Sequence, residues 1–380
     1  MMKIKWKHYV NYIVISLFTL IFGTLSIVGG LDSSLLYMFE KVAISIILAV
    51  SLGFVVGFLG ELSLGHAGFM CVGAYIGGKV SSLLVPSLGN GILALIVSVI
   101  AGAVCAGICG FIIGLPALRL RGDYLAIVTL AFGEIVKTLF QNSSKKSFGG
   151  ALGLSTPRFD KDYLFIIAFV FVLITLLVIQ NLIRSKHGRA ITAIRDNEIA
   201  ARACGINVTK YKLIVFIVAA ALAGVAGVLY SYSNFTVQSS KFDYNYSIQM
   251  LVMVVLGGMG SVNGSILSAT LITYLNIKLS TVLTGNLAVL QNLVYALILV
   301  LIVIYNNAPA LAGIREKYNL KNLTNKLFKI KFVPSKHKDD ESAWDKIPTK
   351  IKMDEILTVD INVQESVSTP DKPTEVKGNE

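Results

Sequence analysis

The sequence has few cysteines, histidines and tryptophans, and it carries little charge. Its 380 residues include 4 Cys, 4 His and 2 Trp, and charged residues make up 15%. Three of the cysteines lie in apolar stretches and one in a polar loop, without the spacing of a disulfide framework or a zinc site, so we expect small buried packing residues. Because the histidines are scattered, we expect neither a metal cluster nor a nucleophile–base pair. The sequence therefore predicts no catalytic residue and no metal ligand.

Convincing nucleotide-binding loops are also lacking. The segment GAYIGGKV, from Gly73 to Val80, has the glycine and lysine spacing of a phosphate-binding loop. However, Val80 stands where a Ser or Thr would bind Mg²⁺, and the segment is typical of an apolar helix. A second segment, GMGSVNG, misses the dinucleotide-binding pattern by one residue and has no strand before it. We therefore expect this chain to bind no cofactor and to have no ATPase site of its own.

Long apolar segments are what the chain does contain. Hydrophobic residues make up 54% and the mean hydropathy is +0.71, which is typical of a polytopic membrane protein. Candidate spans, each about 20 residues long as a ~30 Å hydrocarbon core requires, are 9–31, 35–59, 66–85, 91–114, 123–141, 162–183, 213–233, 265–284 and 287–305. The shorter segment 247–260 ends in glycines and predicts a tilted span or a broken, re-entrant helix. The predicted fold is an all-α, polytopic transmembrane helix bundle of about 8–10 spans.

Positive charge predicts the orientation of this bundle. The net charge is +12, and excess lysine and arginine mark the cytoplasmic side of a bilayer. Counting 247–260 as a span gives about ten crossings and places both termini, the Arg119/Arg121 turn and the loop 184–212 in the cytosol. The loop 142–161 conflicts with this orientation, because it would be external and yet carries four basic residues. Anionic lipid accounts for the charge, so no nucleic-acid partner is expected.

The distribution of charge also divides the chain into two regions of different composition. We expect a transmembrane domain at 1–314, with a cytoplasmic loop at 184–212, and a cytoplasmic, largely disordered charged tail at 315–380. The tail alternates basic and acidic patches and has few large apolar residues after Trp344. Its role does not follow from its composition.

The loop from Arg184 to Lys212 is the one long polar stretch between apolar segments. It carries seven basic and two acidic residues, so 7 − 2 gives a net +5. Within it, DNEIAARACG predicts a short helix that Asp196 or Asn197 caps and Gly205 ends. A solvated loop helix without a partner is the alternative interpretation.

Charged residues within the predicted spans have two possible interpretations. Asp123, Glu134 and Lys137 fall on one helical face, and Glu134 can pair with Lys137. This face could line a polar path or couple an ion, since charge is costly in lipid. Alternatively, Asp123 caps the helix and the pair lies near the outer interface. Glu61 and His66 flank a span boundary, where interfacial caps are equally expected.

Small residues recur at the spacing that allows close helix packing in lipid. This predicts packing stripes at Gly53/Gly57, Gly73/Gly77, Gly110/Gly114 and Ala219/Ala223/Gly227. Two glycine-rich segments, 57–69 and 256–267, resemble each other weakly, which suggests an internal repeat with irregular backbone near a translocation path. The candidate path residues are Leu64, Gly65, His66, Gly257, Gly258 and Gly260.

Five segments together point to one family. They are GELSLGHAGFMCVGAY (60–75), LRLRGDYLAIVTLAFGEI (118–135), FGGALGLS (148–155), the block 188–230 and LGGMGSVNGSILSA (256–269). These segments resemble the permease subunit of bacterial branched-chain amino acid ABC transporters of the LivM type. The resemblance implies import of branched-chain or related amino acids across the bacterial cell membrane. It also implies three kinds of partner: a second homologous permease, two cytosolic ATPase subunits that hydrolyse the ATP, and an extracytoplasmic substrate-binding protein.

The resemblance also implies a role for the polar loop. In such permeases a cytoplasmic helix docks on the ATPase, often with an EAA pattern followed by glycine. Here Ala200, Ala201 and Gly205 keep that spacing, whereas Ile199 holds the glutamate position and Glu198 is displaced by one. The implied interface residues are Arg195, Asp196, Glu198, Ala201 and Gly205.

Two other classes of transport protein stay open on the residues alone. An ion-coupled secondary transporter of a small polar solute would use Asp123 or Glu134 and need no ATPase. A passive channel would need no energy source. Within the family, the substrate also stays open, since urea, short amides and other amino acids use similar permeases.

Overall fold

The computed structural model describes residues 10–282 except 31, 89, 90, 121, 158 and 160, together with residues 296, 297 and 300. The predicted span 287–305, apart from those three residues, and the predicted tail 315–380 lie outside the described residues. So do the basic N-terminal residues, Arg121 and Arg158. The described part is an all-α bundle, as predicted. It also contains one sheet of two short strands.

The described helices number twelve. In chain order they are α1 Val10–Ile27, α2 Ser33–Gly53, α3 His66–Leu88, α4 Ile92–Ala117, α5 Asp123–Gln141, α6 Lys145–Phe148, α7 Lys161–Arg184, α8 Lys186–Asp196, α9 Glu198–Ala203, α10 Val208–Ser233, α11 Tyr244–Gly257 and α12 Val262–Val282. A π-helical segment, Phe54–Leu59, continues α2, and 3-10 turns lie at Gly150–Leu152 and Ser239–Lys241. Two strands, β1 Leu154–Ser155 and β2 Thr236–Val237, pair antiparallel.

Five described helical segments are long and apolar enough to cross a membrane. They are Ser33–Leu59, His66–Ser87, Ile92–Ala117, Tyr163–Arg184 and Val208–Ser233. Helix α5 has the predicted bounds, 123–141, but carries three charged residues. Helix α11 has 14 residues, or about 21 Å, which is short of a ~30 Å core. The segment 247–260 is therefore a broken helix rather than a full span.

The start of α10 differs from the sequence prediction. Apolar content placed the span at 213–233, whereas the helix begins at Val208. Asn207 Oδ1 accepts a hydrogen bond from the Lys210 backbone N–H at 3.1 Å and so caps the helix before its apolar part. Hydropathy does not count polar caps and basic first-turn residues as part of a membrane helix, and this explains the difference in the start of α10.

Helix α10 forms the centre of the bundle and packs against α2, α3 and α4. These contacts require glycine, which has no side chain. A Cβ atom on Gly73 would lie 2.5 Å from Gly224 Cα, and one on Gly227 would lie 2.1 Å from the Met70 carbonyl oxygen. The predicted packing role of these glycines is confirmed, because only glycine lets the backbones approach this closely.

Two local predictions were incomplete. Cys71 is buried as expected, but Cys204 is exposed because α9 turns it outward at the end of the polar loop. The β1–β2 pairing, with Leu154 opposite Val237, was not predicted, since two-residue strands leave no alternating pattern. It fixes the loop 142–161 beside the end of α10, where Thr156 Oγ1 donates to the Ser231 carbonyl at 2.7 Å.

The two glycine-rich segments are breaks in helices, and they lie against each other. The π-helical segment ends at Gly60, whose φ is +81°, and α11 is followed by Gly258 and Gly260, whose φ values are +86° and +83°. A Cβ on Gly57 would lie 2.3 Å from the Gly260 backbone nitrogen. Irregular backbone at membrane depth is tolerated only inside protein or along a cavity, and these breaks satisfy that condition by packing together.

Candidate functional site

The polar loop folds as two helices rather than the single short helix predicted. Helix α8 begins after Ser185, whose Oγ accepts from the His187 and Gly188 backbone N–H groups at 3.1 and 3.3 Å. Asn197 then interrupts the helix with an extended backbone and caps α9, its Oδ1 accepting from Ala200 N–H at 3.0 Å. Of the two predicted caps, Asn197 is therefore the one used. Gly205, with φ +81°, lies just after the C-cap of α9 and ends that helix, as predicted.

One side of this loop is anchored in the membrane domain and the other is exposed. Ile191 and Ile194 of α8 are buried, as is Ala201 of α9. On the outer side, Ile199 is 74% exposed. Three of the predicted interface residues are exposed: Arg195, Asp196 and Gly205. Glu198 is half-buried, and Ala201 is buried among the residues that anchor the loop.

Lys212 connects the loop to the membrane helices. It lies in the first turns of α10, is 4% exposed, and pairs with both Glu61 and Glu198, the latter at 3.2 Å. Glu198 also accepts from Arg202 Nη2 at 2.6 Å. Burying a charge is costly unless it is paired, and here one ammonium joins α9, α10 and the loop after the π-helical segment.

Sequence reasoning missed this cluster. It counted Lys212 among the cations of the polar loop, and it left open whether Glu61 is an interfacial cap. A signal was present, because Lys212 is four residues from Val208 and from Phe216, and both are buried on one face of α10. A lysine on an apolar helical face needs a carboxylate partner, and the structure identifies it 151 residues away.

Arg195 joins α8 to the first glycine break. Its Nη1 donates to the Gly57 carbonyl at 3.1 Å, and its Nε donates to Asp196 Oδ1 at 3.0 Å. A Cβ added at Gly60 would lie 2.7 Å from Arg195 Cγ, so the arginine stem also packs on the turn. The loop therefore contacts both the break after α2 and, through Gly57, the break after α11.

The predicted path residues near His66 are tightly packed. Leu64 N–H donates to Thr129 Oγ1 at 3.0 Å, and Ser51 Oγ lies 2.8 Å from His66 Nε2. A Cβ on Gly65 would lie 2.2 Å from the Thr129 carbonyl oxygen. His66 is buried at the start of α3, and the gap beside Leu64 has no room for a water molecule. Gly65 and His66 are therefore buried, whereas Leu64 is half-buried.

The path residues of the second break lie at the turn between α11 and α12. A Cβ on Gly257 would lie 2.4 Å from the Gly264 carbonyl carbon, so Gly257 serves the contact between the two helices. Gly258 is exposed and Gly260 is half-buried, and both have left-handed backbones. The structure thus brings Gly260 to the first break and places Gly257 against Gly264 of α12.

The charged residues of α5 form contacts that stabilise the fold. Glu134 Oε2 pairs with Lys137 Nζ at 2.9 Å, as predicted, and Glu134 Oε1 accepts from the Tyr244 backbone N–H at 3.1 Å. The carboxylate therefore caps α11 from a neighbouring helix. Asp123 is not the predicted N-cap, because Gly122 holds that position and Asp123 is the exposed first residue of α5. Within the described residues, no His, Cys, Asp and Glu cluster suits a metal ion.

Apolar helices around a small-residue core, with a charged two-helix loop and paired glycine breaks, define a multi-pass membrane protein of the permease class. The profile of the family described as branched-chain amino acid transport system / permease component matches residues 34–304. Because the match covers most of the chain, the chain belongs to this family, and the resemblance noted in the sequence is confirmed.

Curated relatives agree with this assignment. The chain is 35% identical over 310 residues to the high-affinity branched-chain amino acid transport system permease protein LivM of Escherichia coli K12, covering 73% of this chain and 70% of that one. It is 35% identical over 261 residues to the protein of the same name from Salmonella typhimurium, covering 60% of each. Over 132 residues it is 31% identical to the ribose import permease protein RbsC of E. coli K12, covering 33% of this chain and 40% of that one. No solved structure matches the chain.

Proposed function

We propose that this chain is a permease subunit of an ATP-binding cassette importer, which forms the translocation path for branched-chain or related amino acids together with a second permease. The observation that carries the proposal is the α8–α9 loop, which is anchored at Lys212 and exposes an apolar surface at Ile199. The family and the LivM relatives support the substrate class. Ile199, Ala200 and Ala203 of α9 are all exposed, and an apolar face on a short charged helix suits a groove in a protein partner.

The proposed partners follow from the same family membership. Two cytosolic ATPase subunits would bind α9 and hydrolyse the ATP, while an extracytoplasmic substrate-binding protein would deliver the amino acid on the opposite side. The loop α8–α9 then faces the cytosol, as its basic charge favours. We place both termini on that side, in a bacterial cell membrane.

Coupling would proceed through the contacts of the loop. A movement of α9 imposed by the ATPase would act on Glu198 and hence on the Lys212 ammonium, which also holds Glu61. A movement of α8 would act through Arg195 on the Gly57 carbonyl and thus on the paired glycine breaks. Packed elements with two arrangements carry such changes better than flexible ones.

The ion-coupled alternative has less support. Both carboxylate oxygens of Glu134 are engaged, one with Lys137 and one as the cap of α11. Protonation of Glu134 would remove a charge-assisted hydrogen bond from the fold, so we assign this carboxylate a structural role. Asp123 is exposed at a helix start, where a carboxylate is stabilised by the helix dipole.

The test combines co-purification with transport. The tagged chain should retain two ATPase subunits and a second permease in mild detergent, and cells carrying it should take up leucine. Ile199→Glu should abolish both retention of the ATPase and uptake, because it places a charge in an apolar contact, while Ile199→Leu should preserve both. Gly205→Glu should also abolish uptake, whereas Gly205→Asn, which tolerates a positive φ, should retain most of it. Uptake at the wild-type rate in Ile199→Glu would contradict the proposed coupling.

A further inference from the structure

Helix α5 packs into the bundle with one side and is exposed on the other. Its inner side contacts α3, and Thr129 and Gly133 are buried there. On the outer side, Tyr124, Ile127 and Ile135 are 71%, 61% and 64% exposed. The helix has 19 residues, or about 28 Å, which is close to the ~30 Å thickness of a hydrocarbon core. Something other than the described part of this chain therefore covers a helical side of nearly membrane length.

An ion pair lies at the edge of this exposed side. The side chains of Glu134 and Lys137 are 34% and 21% exposed, and they form a salt bridge of 2.9 Å. Glu134 is seven residues before Gln141, the last residue of α5, and so lies about 10 Å below the end of the helix. Charged groups at this depth face protein or water, because exposure to lipid is costly. The ion pair therefore indicates that lipid does not cover this part of α5.

Helix α11 begins at the same depth. Glu134 Oε1 accepts a hydrogen bond from the Tyr244 backbone N–H at 3.1 Å, so the start of α11 lies beside Glu134 rather than beside the end of α5. Tyr244 is 49% exposed, and Asn245 is exposed as well. Non-helical backbone at membrane depth is tolerated only where protein or water covers it. The turn into α11 thus gives a second reason to exclude lipid from this surface.

An open groove of about 400 Å³ follows the last turns of α5. It is lined by Glu134, Ile135, Thr138, Leu139 and Asn142, all of them from this helix or its C-cap. Side chains of a neighbouring helix pack into such grooves as ridges. In membranes, small residues such as Thr138 allow close approach, and hydroxyl and amide side chains form hydrogen bonds between helices. The groove therefore has the shape and the chemistry of a helix-packing surface.

The exposed side of α4 has a different composition. Its exposed residues include Ile100, Val104, Ile108 and Phe111, which are 58%, 53%, 52% and 44% exposed. The sequence of α4, Ile92–Ala117, contains no charged residue. Such a surface suits the hydrocarbon of a bilayer. The two helices thus distinguish a side suited to lipid from a side suited to another protein.

We propose that the exposed side of α5, together with the start of α11, is the surface that binds the second permease subunit. A transmembrane helix of that subunit packs along Ile127, Ile135 and Thr138 and fills the groove, so that protein covers the Glu134–Lys137 pair. A membrane-embedded partner is required, because the exposed side extends from Tyr124 to the end of α5, about the length of a membrane span. The inference rests on the proposed function, which includes a second permease, and it assigns that partner to one side of this chain.

The first test is site-specific photocrosslinking in native membranes. A photoreactive benzophenone amino acid replaces either Ile135 of α5 or, as the matched control, Ile108 of α4, since both are exposed isoleucines of long helices. Ile135 should yield a product that mass spectrometry identifies as this chain joined to a permease of the same family, and Ile108 should yield none. Products of single-chain mass alone from Ile135, a crosslink to any other protein, or equal yields from the two positions would overturn the inference.

The second test measures how much of the second permease co-purifies with the tagged chain in mild detergent. Ile135→Trp overfills the groove and should lower this amount about 10-fold, whereas Ile108→Trp should leave it unchanged. Because both isoleucines are exposed, neither variant disturbs the packing within the chain itself. Equal recovery in the two variants would contradict the assignment of the surface.

The wild-type chain separates this inference from the proposed function. Recovery of a second permease with the wild-type chain, but without a crosslink from Ile135, would remove this surface and leave the proposed function in place. Recovery of the wild-type chain without any second permease would instead remove the permease pair from the proposed function, and this surface with it.

Discussion

Two lysines at opposite ends of the bundle show two ways of placing a cation inside a membrane domain. Lys212, beside the polar loop, is 4% exposed and bridges the carboxylates of Glu61 and Glu198. Lys41 of α2 is half-buried beside an amide oxygen and lies on the ring of Tyr230, which is about 27 Å from Lys212 along the axis of α10. A charge in a membrane helix is costly and needs such partners in either case.

The two lysines differ in the groups that contact them. Two carboxylates neutralise an ammonium and fix three segments of chain relative to each other, so the Lys212 cluster is suited to transmit movement. Among the contacts of the Lys41 ammonium are a ring face and an amide oxygen, which hold its position.

The largest expected effect is the loss of the Lys212 cluster. Lys212→Met leaves the carboxylates of Glu61 and Glu198 without their shared cation, and breaking a buried pair by removing one partner costs about 3–5 kcal/mol. We expect the unfolding midpoint in an SDS titration to fall accordingly, with loss of uptake.

The matched control removes all three charges together. Lys212→Met combined with Glu61→Gln and Glu198→Gln should recover most of the stability, because no buried charge is left without a partner. It should not recover uptake, since the three segments are no longer held by one group. A triple variant as unstable as Lys212→Met would show that packing of the lysine stem, rather than its charge, holds this region.

An intermediate effect is expected at Arg195, which joins α8 to the glycine break. Arg195→Met removes the hydrogen bond to the Gly57 carbonyl, and partial solvent exposure limits the cost to about 1 kcal/mol. Arg202→Met is the control, because the Arg202 side chain is 58% exposed and its pair with Glu198 should contribute little. Uptake should fall in Arg195→Met and stay near wild type in Arg202→Met. Equal behaviour of the two variants in both assays would argue against a specific role for the Gly57 contact.

Much of this arrangement could be predicted from local pattern. The bounds of α5, the cap at Asn197 and the turn at Gly205 follow from side chains whose effects reach only a few residues along the chain. The helix-packing glycines follow from their spacing, because close backbone contact in lipid requires small residues at regular intervals. The pairing of Glu134 with Lys137 is likewise a contact within one helical turn.

The rest depends on contacts between distant parts of the chain. Glu61 and Lys212 are 151 residues apart, and a hydropathy window counts each of them as a polar residue at the end of a span. The same limit applies to Glu134 as the cap of α11. Charges on apolar helical faces were the available signal, but their partners could be assigned only once the helices were placed.

The smallest expected effect completes the comparison between the two lysines. Lys41→Met removes a cation held by a ring face and an amide oxygen, and such contacts at a partly solvated position contribute about 0.5–1 kcal/mol. The SDS unfolding midpoint should therefore stay close to that of the wild type, far above that of Lys212→Met. A destabilisation as large as that of Lys212→Met would mean that Lys41 is a second structural joint, and the contrast between the two ends would disappear.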